Sequence, residues 1–160
     1  MTRGVDVRTG ATGYRDQLRR VRRYLARVLD RDWGDDEIAY QDDVWSFFQN
    51  CWHLKDWVRN DPLLPQDVKD RVVAAVEASI TLAIANDMAN GTKHLKLHNA
   101  RAPAAYSHTR IVYTGKGPPW LECMIEVNGS EVLGSIVAQQ CVEEWERILL
   151  GEQLPIDRSW

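Results

Sequence analysis

The chain has 160 residues, of which 44% are hydrophobic and 27% charged, and its formal net charge is −3. This is the composition of one globular domain that can bury a core without disulfide bonds or a structural metal. The opening stretch MTRGVDVRTG lacks the apolar segment of a secretory signal, and the longest apolar runs, 72–76 and the nearly apolar 80–85, are far too short to cross a bilayer. We therefore predict a cytoplasmic protein and expect no membrane contact.

The cysteines and tryptophans indicate a reduced, aromatic-rich core. Cys51, Cys123 and Cys141 are an odd number and show no CxxC spacing. Cys51 and Cys141 fall on the apolar faces of predicted helices, which favours reduced thiols and a reducing compartment. Seven tryptophans can each bury a large area, so we expect several of them in the core.

The N-terminal part predicts an amphipathic helix over residues 13–29, with Thr12 as its N-cap. One side of this helix is apolar and the other is basic. A basic helix face is typical of nucleic-acid binding. The candidate contacts are Arg15, Arg19, Arg22, Arg23 and Arg27. The alternative is that the acidic residues between positions 30 and 43 neutralise the arginines within the chain.

Two more helices are predicted in the N-terminal half. After an acidic loop at 30–41, Asp42 or Asp43 is expected to cap a second helix that ends at Asp61-Pro62. A third, long helix begins near residue 66, and Gly91 either ends it or lies inside it.

The third helix shows the anomaly of this sequence, because polar residues continue its apolar stripe. The stripe is formed by Val72, Val76, Ile80 and Ala83. Steps of three, four and seven residues continue it to Asp87, Asn90 and His94. Buried polar groups need partners, so this stripe is the candidate site.

Lys55 lies in the middle of the apolar face of the second helix and is the expected partner of Asp87. In a catalytic interpretation Lys55 sets the electrostatics, Asp87 and His94 transfer protons, and Asn90 orients the ligand or the histidine. The function would then be a hydrolytic or other small-molecule reaction. In a structural interpretation the same residues lock two helices in register, and the chain is a non-catalytic interaction domain.

A divalent metal is an alternative use of the same region. His53 and Asp56, at i and i+3 on the second helix, together with Asp87 and His94, resemble a two-helix carboxylate–histidine site. However, His53 and Lys55 lie on opposite faces of the helix, and the sequence contains no HExxH or ExxH pair. We therefore predict no cofactor.

The C-terminal part predicts a small antiparallel sheet and a closing helix. Strands are expected at 107–114 and 120–127, and Asn128-Gly129 predicts a hairpin to a short strand at 130–134. The expected fold class is α+β, mainly α: a bundle of about four helices with a β-hairpin or meander before the last helix. We predict one domain over residues 1–160, with a helical part at 12–98, a sheet at 106–134 and a closing helix at 135–150.

Two sequence elements resemble a group of small uncharacterised bacterial proteins. These elements are FFQNCWHLKDW at 47–57 and NGTKHL at 90–95, and the group shares an FFQNCxHLKDW-type helix and an NGxKHL-type element. The resemblance covers about 17 residues directly, with Trp145-Glu146 near the last helix as a further match. It implies membership of the group and no particular activity.

A weaker similarity points to HEPN-type helical domains, which include RNases with an Arg-x4–6-His motif at a dimer interface. The nearest match is Lys93-x4-His98, in which lysine replaces arginine. Lysine binds phosphate but lacks the forked geometry of a guanidinium. This resemblance implies an RNase or toxin-type protein, and a dimer groove lined by Arg19, Arg23, Lys93 and His98 would favour this alternative.

Overall fold

The computed structural model describes residues 13–32, 34, 36–93, 104–112 and 117–157, and for residues 92–93 and 104–111 it describes the backbone alone. Within these residues, five helices and three strands form an α+β fold that is mainly α, which confirms the predicted class. In chain order the elements are α1 (Tyr14–Leu29), α2 (Glu37–Asn60), α3 (Gln66–Ala78), α4 (Ile80–Lys93), β1 (Ala104–Val112), β2 (Trp120–Val127), β3 (Ser130–Leu133) and α5 (Gly134–Gly151).

The first two helices form an antiparallel pair whose ends follow local capping chemistry. The N-cap of α1 is Gly13, and the predicted cap Thr12 lies outside the described residues. Helix α2 begins before Asp42 because the Asp36 side chain accepts hydrogen bonds from the N–H groups of Ile38 and Ala39, at 2.9 and 3.3 Å. It ends at Asn60, where the Asp61-Pro62 signal predicted.

The long third helix of the sequence prediction is wrong, because the chain bends by 82° at Ser79. The Ser79 hydroxyl accepts a hydrogen bond from the N–H of Leu82 at 3.2 Å, so this serine caps a separate helix, α4. After the bend a different set of helix positions faces the core. Ile80 is 84% exposed, whereas Leu82 is fully buried. Gly91 lies inside α4 and does not end it.

The sheet is an antiparallel meander in the order β1-β2-β3. Asn128 and Gly129 join β2 to β3 with φ values of 52° and 74°. Such left-handed backbone suits asparagine and glycine, so the predicted hairpin is confirmed. Strand β1 begins at Ala104, earlier than the predicted start at residue 107.

The described helices and β2 share one hydrophobic core that is centred on α2. Its largest fully buried apolar side chains are Leu18, Phe47, Phe48, Leu54, Leu82, Ile125, Trp145 and Leu149. The three cysteines are buried and free, which confirms the core position predicted for Cys51 and Cys141. A hydrogen bond with Cys51, together with burial, raises the pKa of the Cys141 thiol well above its usual value.

Within the described residues, no single helix combines the length and the apolar composition needed to cross a bilayer. Helices α3 and α4 pass such a test only when taken together, and the 82° bend separates them.

Candidate functional site

The expected ion pair between Lys55 and Asp87 is not the pair that forms. Lys55 is 8% exposed, and its Nζ lies 3.2 Å from Oε1 of Glu77 on α3. The ammonium also lies 4.2 Å from the centroid of the Trp52 ring, a cation–π contact. Lys55 therefore joins α2 to α3, while Asp87 follows the bend at Ser79 and belongs to α4.

Asp87 belongs to a row of amide and carboxylate groups on α4, which we call the α4 polar cluster (Asn86, Asp87 and Asn90). Asp87 is 2% exposed and Asn86 is 5% exposed. The Asn90 amide donates a hydrogen bond to Asn86 Oδ1 at 3.0 Å, and the Asn86 amide donates to Asp87 Oδ1 at 3.3 Å. The two asparagines thus orient a buried carboxylate. Asn86, which the sequence prediction missed, occupies the position directly before Asp87.

Replacing Lys55 by methionine is expected to lower the free energy of unfolding by only about 1–2 kcal/mol. The carboxylate left behind, Glu77, has a side chain that is 42% exposed, so water solvates it. A buried pair with Asp87 would instead cost about 3–5 kcal/mol. Urea midpoints for Lys55→Met, Glu77→Gln and the double variant measure the pair. A coupling energy between Lys55→Met and Asp87→Asn as large as that with Glu77→Gln would contradict this assignment.

The residues of the alternative metal site do not all meet. His53 and Asp56 are exposed on α2, and Asp56 is paired with Arg59 at 3.1 Å, whereas Asp87 is buried on α4. His94 lies outside the described residues. Among the side chains that the structure describes, no group of three or more histidines, cysteines and carboxylates is arranged to hold a metal ion.

Most arginines of the predicted nucleic-acid face contact carboxylates of the same chain. Arg22 is buried, at 4% exposure, and its Nη2 lies 2.5 Å from Oε1 of Glu146. Arg15 and Arg19 pair with Asp157, and Arg27 pairs with Asp43 at 3.3 Å. Arg23 remains on the exposed side of α1. Neutralising carboxylates thus come from the C-terminal part as well as from the acidic segment named in the sequence alternative.

The residues of the RNase-like motif fall at the edge of what the structure describes. Lys93 is the last residue of α4 and is described by its backbone alone, while His98 lies outside the described residues. The motif therefore stays a prediction.

A second buried carboxylate, on β2, was missed by the sequence prediction. Glu122 is 0% exposed, and it accepts hydrogen bonds from the N–H and the hydroxyl of Ser135 at 3.1 and 2.8 Å. Nη1 of Arg31 lies 3.0 Å from its Oε2, and the Arg31 guanidinium lies 5.7 Å from the centroid of the Trp120 ring. These four residues, the β2 carboxylate cluster, attach the α1–α2 connection and the N-terminus of α5 to the sheet.

Polar groups buried beside the β2 carboxylate cluster lower the stability of the fold where they lack a hydrogen bond. Trp120 Nε1 is buried without a hydrogen-bond partner among the described residues. Leaving such a group unsatisfied costs about 1–3 kcal/mol. Burial, and then the negative charge of Glu122, raises the pKa of Tyr40 well above its usual value and that of the Cys123 thiol to about 12. Both groups therefore stay protonated near neutral pH, and the Cys123 thiol is a poor nucleophile.

The sequence contains a weak signal for the buried position of Glu122. Strand β2 reads WLECMIEV, an almost continuous apolar run. Such a run is typical of a strand that is covered on both faces, whereas strict alternation is typical of one solvated face. Leu121, Cys123 and Ile125 join the main core, and Glu122 and Met124 on the other face are buried as well.

Comparisons with protein-family models, with curated proteins and with solved structures find no significant match for this chain.

Proposed function

We propose that the chain is an enzyme that performs acid–base chemistry on a small molecule, with Asp87 as the proton-transferring carboxylate. The observation that carries the proposal is the α4 polar cluster, in which a carboxylate at 2% exposure is oriented by the Asn86 amide at 3.3 Å. A general acid or base must be held within hydrogen-bond reach of the substrate proton, so fixed orientation is its first requirement.

The remaining residues of the site take more limited roles in this proposal. Asn90 holds Asn86 at 3.0 Å and thereby positions Asp87 from one turn away. Helix α4 continues through Gly91 to Lys93, so a histidine at position 94 follows directly and is proposed as the second proton-transfer group. Lys55 has no part in the proposed reaction, because Glu77 and Trp52 hold its ammonium.

The three buried free thiols support placing this reaction in a reducing compartment, the cytoplasm.

Asp87→Asn tests the proposal, because it removes the charge and keeps the shape of the side chain. We expect a change of only about 1–2 kcal/mol in the free energy of unfolding, the range of one altered buried hydrogen bond. A ligand that binds only the folded protein raises its melting temperature. Thermal-shift screening against metabolites and chromogenic hydrolase substrates should give compounds that stabilise the parent and lose this effect with Asp87→Asn.

Glu77→Gln is the matched control, because it also removes one negative charge from a helix but leaves the α4 polar cluster intact. Every compound found in the screen should still stabilise this control. Turnover of a compound by the parent and by Glu77→Gln, but not by Asp87→Asn, would establish the proposed role. Full turnover by a folded Asp87→Asn variant would refute it.

A non-catalytic interaction domain is the second candidate, and the Lys55–Glu77 contact at 3.2 Å favours it. Together with the Arg22–Glu146 pair at 2.5 Å, this contact neutralises charges at helix junctions, as expected for groups that fix helix pairing. For such a domain, Asp87→Asn should reduce any cellular phenotype of the gene only in proportion to the stability that is lost.

A further inference from the structure

Three arginines of α1 converge on a single residue near the other end of the chain. Arg15 donates a hydrogen bond to a carboxylate oxygen of Asp157, and Nη2 of Arg19 lies 3.4 Å from the other oxygen. Arg22 donates to the backbone carbonyl of Asp157. Two guanidinium groups thus hold the carboxylate of Asp157 and a third, on the same helix, holds its backbone carbonyl. We call this grouping the α1 arginine site (Arg15, Arg19 and Arg22).

The backbone of the segment 154–157 is attached to α1 independently of the Asp157 charge. The Tyr14 hydroxyl donates a hydrogen bond to the carbonyl of Pro155 at 2.7 Å, and Leu154 is buried, at 9% exposure. This backbone attachment places the Asp157 carboxylate on the arginines.

In the α1 arginine site Arg22 is buried and fixed, whereas the Asp157 carboxylate and the other two arginines are accessible to solvent. Arg22 has a side chain that is 5% exposed, and Nε and Nη2 bind Glu146 Oε1 at 3.1 and 2.5 Å, so its position is set by the fold. The side chains of Arg15, Arg19 and Asp157 are 45%, 47% and 25% exposed. Ion pairs with such exposure are weak, so another oxyanion can replace the aspartate.

The charge balance favours an anionic ligand once Asp157 is displaced. Three carboxylates face the three arginines, those of Asp157, Glu146 and Asp16. Oδ1 of Asp16 lies 3.4 Å from Nη2 of Arg19. Without Asp157 the three positive charges face two negative ones. Guanidinium groups bind phosphate oxygens through two parallel N–H donors, which makes phosphate the oxyanion that best matches this set.

We propose that the α1 arginine site binds a phosphate group, and that Asp157 occupies this site in cis as an autoinhibitory stand-in. The phosphate is either a free anion or part of a nucleic-acid backbone, because both present the same oxygens. The proposal is independent of the α4 polar cluster and of the function assigned to it.

Asp157→Asn is the variant that tests this site, since it removes the competing charge and retains the backbone contacts of the segment. Inorganic phosphate is titrated by calorimetry, and a fluorescein-labelled oligothymidylate by fluorescence anisotropy, both at low salt. We expect the variant to bind at least one probe about three- to tenfold more tightly than the parent. A gain with phosphate alone identifies a small-anion site, and a gain with the oligonucleotide identifies a nucleic-acid backbone as the source.

Asp67→Asn is the matched control, because Asp67 also forms an exposed pair with an arginine, Arg71, at 2.9 Å. It should leave both affinities unchanged, and adding Arg15→Gln and Arg19→Gln to Asp157→Asn should abolish the gain. Equal binding by Asp157→Asn and Asp67→Asn would overturn the proposal.

A measurement on the parent protein covers the case in which Asp157→Asn does not fold. Phosphate should shift the side-chain Nε–H resonances of Arg15, Arg19 and Arg22 in an NMR titration and leave that of Arg71 in place. Equal or absent shifts at all four arginines would overturn the proposal as well.

Discussion

Glu122→Ala is expected to lower the free energy of unfolding by about 3–5 kcal/mol. Glu122 is 0% exposed and is the acceptor for both donors of Ser135 and the ion-pair partner of Arg31. Its removal strands the Arg31 guanidinium, whose side chain is 17% exposed, and leaves the first turn of α5 without its anionic partner. Urea or guanidinium unfolding of the parent and the variant measures the loss.

Two companion variants separate the charge of Glu122 from its shape. Glu122→Gln retains an acceptor for Ser135 but leaves Arg31 unpaired, so we expect a smaller loss than with alanine. Adding Arg31→Met should recover part of that loss. Glu126→Gln, on the same face of β2 but half-buried, is the control and should change stability by less than about 0.5 kcal/mol. A Glu122→Ala loss of the same size as this control would show that the cluster does not hold the sheet to the helices.

Trp145→Ala is expected to have a similarly large effect, about 3–5 kcal/mol. Trp145 is 0% exposed and is the largest fully buried side chain of the described core. Its Nε1 donates a hydrogen bond to the backbone carbonyl of Cys51 at 3.0 Å, so the ring also joins α5 to the middle of α2. Calorimetric melting and denaturant unfolding should both report the loss.

Trp145→Phe tests how much of that stability is due to the hydrogen bond. Phenylalanine keeps most of the apolar ring and loses the N–H donor, so a loss of about 1–2 kcal/mol is expected. Trp57→Phe is a suitable control, because Trp57 is only half-buried and packs beneath Arg20 at 5.7 Å. Equal losses for Trp145→Phe and Trp145→Ala would show that the hydrogen bond, and not the ring, holds the two helices.

The elements predicted well from the sequence are those with short-range signals. Helix α5 was expected at 135–150 and spans Gly134–Gly151, because its apolar residues recur at helical spacing. The Asn128-Gly129 turn follows from the backbone conformation that these two residues tolerate. By contrast, several aspartates compete to cap α2, and the sequence prediction chose Asp42 or Asp43 where the structure uses Asp36.

The burial of Asp87 was predicted from the sequence, and its role in a site stays a prediction. The burial of Asp87 was expected from the apolar stripe, and the structure places it at 2% exposure. The apolar stripe does not explain this burial, because it is interrupted at Ser79, and Ile80, one of its members, is 84% exposed. Asp87 is buried because α4 packs against both α2 and α5, and the five consecutive residues 85–89 are all buried.

The sequence by itself determined the last helix, the β2–β3 hairpin and the core positions of Cys51 and Cys141, because periodicity and turn residues act within a few positions. Only the tertiary structure decided the bend at Ser79 and the partners of Lys55, Asp157 and Glu122. A serine in an apolar helical pattern costs little in either conformation, so packing selects the break. The sequence contains many carboxylates that are chemically equivalent as partners for an arginine or a lysine. Which of them forms the ion pair depends on which lies close in the folded chain.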